Sequence, residues 1–307
     1  MTKKAYFYID DTIWMLRDIT RERPESMFDN PILKALKDTH ERYGLKVQLN
    51  LFYRTDYFYG NDDFSLADVT DAYKSEWEES SDWLKLAFHA KQEFPDYPHI
   101  NATYEDIYSI FKDFEREVKR FAGDSSFTYA VCPHWVPVSL DGVRALYDCG
   151  VRLLDVTQGE TRAYDGDPSS LPYGHAGRLL QNRQPETRLF TRGGADTAIA
   201  RSICGYNHFD RPIDEERFTL SMELDEKTGM YFKKFCNAPC LNLTELEDME
   251  REFGRVIHYE YLGICVHEQY YYADYYQYQP DYIAKIYKMC EILRDNGYEY
   301  MHGEELI

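Results

Sequence analysis

Short apolar runs alternate with helical patterns in the first half of the chain, and this rhythm constrains the fold more than any other feature. The apolar runs have the length of strands and lie at 5–9, 46–53, 84–88, 127–132 and 151–154. Apolar residues at helical spacing cover 31–43, 104–121 and 139–149, and a loop is expected between residues 11 and 30. Strands that alternate with helices form parallel sheets, and units this short favour one α/β barrel over two domains.

The pattern changes at about residues 157–242, where Gly, Pro and Arg become frequent and helical spacing disappears. This stretch predicts an irregular insertion over one end of the barrel, with hairpin strands such as 217–222. Regular elements resume in the order helix, strand and helix, at 244–253, 256–266 and 280–295. The chain therefore predicts a single barrel domain, 1–307, that carries an insertion.

The charge balance limits the partners of this chain. A formal net charge of -19 opposes binding to nucleic acids and anionic membranes, because such binding depends on Lys and Arg side chains. The same charge favours a bound divalent cation. No apolar leader follows Met1 and no run is long enough to cross a bilayer, so we expect a cytoplasmic protein. The seven Cys residues have no framework spacing and are expected to be reduced; Cys236 and Cys240 lack the second pair that a zinc site needs.

Ionisable residues stand at the ends of the predicted strands. In a parallel barrel these ends open on one face, and catalytic groups gather there. Each residue alone is more often explained by a turn, a helix cap or a structural hydrogen bond, but together they predict a reactive site at one rim. The residues at the strand ends are Asp10, Asp11, His89, His134, Trp135, Asp155, His267 and Glu268.

In this order, the strand ends resemble the NodB-homology polysaccharide deacetylases of the wider glycoside hydrolase/deacetylase superfamily. The resemblance covers most of the chain outside the insertion and implies a distorted (β/α)7-type barrel. Its first motif is an apolar strand followed by two aspartates, which here is Phe7-Tyr8-Ile9-Asp10-Asp11. In the family the first Asp is the general base and the second is a metal ligand, which implies these roles for Asp10 and Asp11.

The other family motifs are matched in part. The second motif has two metal-binding His residues four positions apart, and here the positions hold His89 and Glu93. The third motif carries an Arg that orients the base, where this chain has Cys-Pro-His-Trp ending in His134 and Trp135. The last motif is an apolar strand that ends in the catalytic acid, and Gly-Ile-Cys-Val-His places His267 there.

The resemblance implies a hydrolase that removes an acyl group, expected to be acetyl, from an amino sugar or related carbohydrate. One divalent metal ion, expected to be zinc, would be held by Asp11, His89 and Glu93. Asp10 would be the base and His267 the acid in cleavage of the carbon–nitrogen bond. The expected partner is a small-molecule or oligosaccharide substrate, with His134, Trp135, Asp155 and Glu268 binding or orienting it.

Two other functions remain open from the residues. A metal-independent glycoside hydrolase of the same superfamily would use paired carboxylates, such as Asp11 with Glu268 or Asp155. A catalytically silent barrel would bind carbohydrate through aromatic residues, which are dense over 270–278. Activity that survives chelation would indicate the glycosidase, and absence of turnover on either substrate class would indicate the binding protein.

Overall fold

The computed structural model describes residues 2–55, 62–93, 98–99, 102–136, 138–155, 161–162, 199–200, 222–275 and 277–307. The strands are β1 (Lys3–Thr12), β2 (Val47–Phe52), β3 (Leu84–Ala90), β4 (Ala130–Val131), β5 (Leu153–Asp155), β6 (Thr161–Arg162), β7 (Ile199–Ala200), β8 (Glu223–Leu224), β9 (Tyr231–Lys233), β10 (Tyr261–His267) and β11 (Tyr298–Tyr300). The α-helices are α1 (Trp14–Glu22), α2 (Pro31–Tyr43), α3 (Lys74–Glu79), α4 (Tyr104–Ala122), α5 (Leu140–Asp148), α6 (Met249–Gly254) and α7 (Tyr282–Asp295). None of the helices in these ranges is long and apolar enough to cross a membrane.

The predicted parallel α/β sheet is confirmed. Strands β10, β1, β2 and β3 are neighbours in this order and run parallel, and β11 pairs with the beginning of β1. A second sheet has the order β4, β5, β9 and β8, and only β8 in it runs antiparallel. Strands β6 and β7 form a separate antiparallel pair.

Backbone hydrogen bonds join the two larger sheets at both edges. The amide of Leu86 in β3 donates to Ser126 O at 2.8 Å, just before β4. On the other side, the amide of Asn237, beyond β9, donates to Gly263 O of β10 at 3.1 Å. A Cβ at Gly263 would lie 1.4 Å from Phe235 O, so only glycine permits this close approach. The sheets therefore enclose a common interior.

Side-chain alternation along β1 explains its continuous apolar sequence. Phe7 and Ile9 belong to the larger hydrophobic cluster with the helices, whereas Tyr6 and Tyr8 belong to the smaller cluster inside the sheets. A strand that is buried on both faces reads as an unbroken apolar run. Asp10 continues the inward parity and pairs in register with His267 of β10.

Three expectations from the sequence need correction. Helix α1 occupies the stretch that was expected to be a loop, and the last long strand begins at Tyr261 because 255–260 form turns. Strand β9 pairs parallel with β5, so 231–233 belong to the sheet although they fall within the predicted insertion. Most of 157–242, including 217–221, lies outside the described residues, and the insertion and the single domain stay predictions.

Candidate metal centre

Asp11 lies at the centre of a buried cluster at the carboxyl end of β1. Its backbone takes the left-handed conformation (φ 59°), beside an irregularity in the pairing of β1 with β2. One carboxylate oxygen, Oδ1, lies 3.1 Å from His89 Nε2 and 3.1 Å from His134 Nδ1. The other oxygen, Oδ2, accepts a hydrogen bond of 2.6 Å from Gln269 Nε2. A left-handed non-glycine residue at such a cluster is typical of a functional site.

The two histidines each use one ring nitrogen on a backbone carbonyl. His89 Nδ1 lies 2.5 Å from Cys132 O, and His134 Nε2 lies 3.0 Å from Glu93 O. A carbonyl oxygen only accepts, so both of these nitrogens carry the proton. In the neutral rings the lone pairs are therefore on His89 Nε2 and His134 Nδ1, which lie 3.1 Å apart.

In this neutral state, three lone-pair donors meet at one point with no hydrogen between them. This arrangement is repulsive unless a cation or an added proton lies there, and histidines that bind metal commonly donate their second N–H to a carbonyl. Ligand atoms around a tetrahedral zinc ion, with bonds of about 2.0–2.1 Å, lie about 3.3 Å apart. The donor set of Asp11, His89 and His134 therefore fits a divalent transition metal.

A second group of possible ligands, Asp10, His89 and Cys132, shares one histidine with the first. These two groups are the candidates found within the described ranges, each with ligand atoms within 4.8 Å of one another. Burial, together with Asp10 and Asp155, raises the pKa of the Cys132 thiol well above its usual value. The His89 nitrogen nearest Asp10 is Nδ1, which already donates to Cys132 O, so the first group is the better site.

The electrostatics of the cluster match its geometry. Burial opposes the charge on Asp11, but the imidazoles of His134 and His89 outweigh burial and hold its pKa well below the usual range. Burial also opposes a charge on His89, yet the carboxylates of Asp10 and Asp11 raise its pKa. At His134 the effect of burial is larger than that of Asp11, and the pKa of His134 is lowered. The cluster thus favours one positive charge beside an ionised Asp11.

Asp10 is held by a chain of amide side chains on β2. Asn50 Nδ2 donates to Asp10 Oδ1 at 2.6 Å, and Gln48 Nε2 donates both to Asn50 Oδ1 and to Ala130 O. His89 Nδ1 lies 3.9 Å from Asp10 Oδ1. Burial raises the pKa of Asp10, while His89, His267 and Asn50 oppose that rise. Asn50 thus fixes the position of Asp10 Oδ1 through one short hydrogen bond.

His267 ends β10 opposite Asp10. Its Nδ1 lies 3.0 Å from Asn242 Oδ1 and 4.0 Å from Cys240 Sγ. Burial disfavours the imidazolium, but Cys240 and the two aspartates outweigh burial and raise the pKa of His267 to about 10. The thiol beside it responds in turn, because Cys265 and His267 lower the pKa of Cys240 to about 5. His267 is therefore a partly buried histidine that keeps its proton at neutral pH.

The remaining predicted site residues have other surroundings. Glu93 is outside the metal-holding groups, and its Oε1 lies 4.0 Å from His134 Nε2, the nitrogen that faces away from Asp11. Asp155 accepts from the Phe235 amide at 2.8 Å. The Trp135 ring lies 6.1 Å from the His134 ring, on a turn with left-handed backbone (φ 57°). None of these contacts is by itself a catalytic arrangement.

Glu268 is a structural carboxylate. It is fully buried, and it accepts the backbone N–H groups of Ile13, Trp14 and Met15 at 2.7, 3.0 and 2.6 Å. These groups belong to the first turn of α1, whose own N-terminal residue provides no side-chain cap. Glu268 therefore replaces the local cap of the helix rather than facing a substrate.

Sequence reasoning missed the amide side chains that hold the two aspartates. Gln48 and Asn50 carried a usable signal, because they alternate with apolar residues in the run KVQLNLF and so share the inward face of β2. Gln269 directly follows His267 and Glu268 but has no distinguishing pattern. Its contact with Asp11 joins residues 258 positions apart, and no local rule reports it.

No protein-family model matches the chain, and no curated protein matches it. Solved structures match it at low identity. A 4-α-glucanotransferase from Thermococcus litoralis has 10% identity and a TM-score of 0.52, over 100% of this chain and 40% of that chain. This likeness supports the α/β fold with its parallel sheet.

Two further solved structures match over most of their length. The Xyl-CE4 domain of a xylanase from the hindgut metagenome of Trinervitermes trinervoides has 13% identity and a TM-score of 0.41, over 100% of this chain and 90% of that chain. A family 4 acetyl xylan esterase from Clostridium thermocellum, solved with a cobalt ion, has 12% identity and a TM-score of 0.41, over 99% of this chain and 90% of that chain. Both of these matches are at low identity.

Proposed function

We propose that this protein is a metal-dependent hydrolase that removes an acyl group, most simply acetyl, from an amino sugar or related carbohydrate. The observation that carries the proposal is the meeting of three lone-pair donors on Asp11, His89 and His134. The proposed ligand set differs from the one implied by the sequence motif, because His134 takes the place of Glu93. The amide-bond substrate is proposed from the motifs at the strand ends.

The residues around the cluster have the protonation states that amide hydrolysis needs. A divalent cation, when bound, would polarise the acyl carbonyl and lower the pKa of an attacking water. Asp10, which Asn50 orients, would accept a proton from the attacking water. His267 keeps its proton because its pKa is raised to about 10, and it donates that proton to the leaving amine.

The alternative as a glycoside hydrolase is less well supported. Of its two candidate partners for Asp11, Glu268 is occupied by three backbone N–H groups and Asp155 by the amide of Phe235. A glycosidase needs a carboxyl group that protonates the leaving oxygen and a second one on the other side of the bond. Carboxylates occupied by the protein backbone are poorly suited to either role.

The proposal is tested by measuring acetate release from the purified protein loaded with one equivalent of Zn²⁺ or Co²⁺. Suitable substrates are N-acetylglucosamine oligomers and acetylated xylan, with reducing-end release measured on the same samples. We expect acetate release that stops on chelation and returns with metal, and that is lost in Asp11→Asn. Reducing ends released by chelated protein would indicate the glycosidase instead, and no product with either assay would indicate a binding protein.

The pH dependence of acetate release should be bell-shaped, with both limbs displaced. The acidic limb follows ionisation of Asp10, whose pKa is raised above 3.8. Activity therefore appears as the pH rises through this raised pKa. The alkaline limb follows deprotonation of His267. The pKa of His267 lies above the usual 6.5, and a nearby cation would bring it below about 10. A pH-rate profile of kcat/KM checks this, and an alkaline limb that is unchanged in His267→Asn would contradict the role of His267.

Asn50→Leu is expected to shift the acidic limb alone. The substitution removes the donor that stabilises ionised Asp10, so the pKa of Asp10 rises and activity appears at higher pH. We expect the acidic limb to move up by about one pH unit, in line with the worth of one charged hydrogen bond of about 1.5 kcal/mol. Leu51→Ile, on the opposite face of β2, is the control that should leave the profile unchanged. An acidic limb that does not shift in Asn50→Leu would show that Asn50 does not stabilise ionised Asp10.

A further inference from the structure

The two oxygens of Asp11 have different partners, and the difference bears on how a metal would bind. Oδ1 faces His89 Nε2 and His134 Nδ1, each at 3.1 Å. Oδ2 accepts the Gln269 amide N–H at 2.6 Å. A carboxylate that accepts a strong hydrogen bond at one oxygen has only the other oxygen fully available for a metal.

The orientation of the Gln269 amide follows from its partner. A carboxylate oxygen only accepts, so the NH₂ group of Gln269 faces Asp11 and its carbonyl oxygen points elsewhere. That Oε1 atom is buried and has no hydrogen-bond partner in the described part of the chain, and the residue is 4% exposed. A buried acceptor without a partner is costly, so the bond to Asp11 holds the amide in this orientation.

Gln269 is itself held in place by its neighbour. Glu268 accepts the backbone N–H groups of Ile13, Trp14 and Met15, so the turn after β10 is tied to the segment that follows Asp11. The same turn thus carries the residue that occupies one oxygen of Asp11. Glu268 and Gln269 themselves lie outside the group of metal-holding residues.

We infer that Gln269 is a positioning residue that makes Asp11 a one-oxygen ligand and so selects for a small tetrahedral cation. Zn²⁺ and Co²⁺ accept a single carboxylate oxygen beside two imidazoles, whereas Ca²⁺ needs about six to eight oxygen ligands and gains from a carboxylate that offers both of its oxygens. The Gln269 N–H blocks the second oxygen. The inference rests on the proposed function only in assuming that a metal binds at Asp11.

The test compares Gln269→Met, which keeps the length of the side chain but lacks the donor, with Tyr272→Phe. Tyr272 lies just beyond the same turn and donates to Asp18 rather than Asp11, so its variant is a matched control. We expect Co²⁺ affinity to fall about tenfold in Gln269→Met, as for loss of a residue that orients a ligand. The visible absorption of bound Co²⁺ should weaken, because a two-oxygen Asp11 raises the coordination number. Discrimination against Ca²⁺ should fall as well.

The outcomes separate this inference from the proposed function. Wild-type protein that binds no Co²⁺ would overturn both. Wild-type protein that binds Co²⁺, with an unchanged affinity and spectrum in Gln269→Met, would overturn only the role of Gln269. Melting of the metal-free proteins shows whether Gln269→Met is folded. If it is not, Gln269→Asn, which keeps the amide but is too short to reach Asp11, is expected to give the same loss of affinity and spectrum.

Discussion

A His134→Ala variant is expected to bind zinc about 100- to 1000-fold more weakly than the wild-type protein. A four-ligand zinc site provides about 10–16 kcal/mol, so one ligand is worth roughly 3–4 kcal/mol. The histidine presents Nδ1 to Asp11 Oδ1 and His89 Nε2, so its loss opens one side of the site. Elemental analysis after dialysis, followed by titration against a competing chelator, measures the change. Acetate release should fall by at least the same factor at limiting metal.

Glu93→Ala is the matched control for this variant, because the family motif assigns Glu93 as a ligand and the geometry assigns His134. Glu93 contributes its backbone carbonyl to His134, which alanine retains. We therefore expect less than about a threefold change in zinc affinity, within the range for surface and peripheral substitutions. A variant pair with the opposite order, in which Glu93→Ala loses zinc and His134→Ala keeps it, would overturn the proposed ligand set.

A Glu268→Ala variant should lower the free energy of unfolding by about 3–5 kcal/mol. The substitution leaves three buried N–H groups of the first turn of α1 without an acceptor, and each costs about 1–3 kcal/mol when water does not replace it. Burial raises the pKa of Glu268 while the three N–H groups lower it, so desolvation offsets part of the benefit of the cap. Urea unfolding at neutral pH, followed by circular dichroism, gives the free energy from the midpoint and slope.

Glu250→Ala is a suitable comparison, because Glu250 forms an ion pair with Lys288 on an exposed surface. Exposed pairs contribute about 0–1 kcal/mol, so this variant should unfold close to the wild-type midpoint. The free energy of unfolding of Glu268→Gln should lie between those of Glu268→Ala and Glu250→Ala. The glutamine keeps one acceptor oxygen but turns an NH₂ group toward a backbone donor. A loss of less than about 1 kcal/mol in Glu268→Ala would contradict the capping role.

The strand ends could be predicted from sequence because the sheet is parallel. Apolar runs mark buried strands, and the residue after each run must lie at the same edge as the others. That argument brought Asp10, Asp11, His89, His134 and His267 to one rim, and the structure places their side chains around a common cluster. It needed no knowledge of the loops.

The choice between Glu93 and His134 could not be made from spacing. Residues four positions apart share a face only in a helix, whereas His89 and Ala90 are still in β3 and 91–93 form bends. The chain therefore turns Glu93 away from the position that a helix would give it. His134 reaches the cluster from the end of the neighbouring strand, through a turn with left-handed backbone at Trp135 and Val136.

Helix α1 was missed for a related reason. Sequence rules look for a capping side chain at the start of a helix, and Ile13 at this position provides none. The cap comes instead from Glu268, which is more than 250 positions away in the chain. Long-range contacts of this kind, including Gln269 with Asp11, become visible only when the strands have been placed.

The central claim is that Asp11, His89 and His134 bind one divalent transition metal. The most direct measurement is a crystal structure of the cobalt-loaded or zinc-loaded protein, with the ion located from its anomalous scattering. We predict one ion about 2.0–2.2 Å from Asp11 Oδ1, His89 Nε2 and His134 Nδ1, with Glu93 outside the ligand set. An ion bound elsewhere, an ion that replaces His134 by Glu93, or no ion at saturating metal would contradict it.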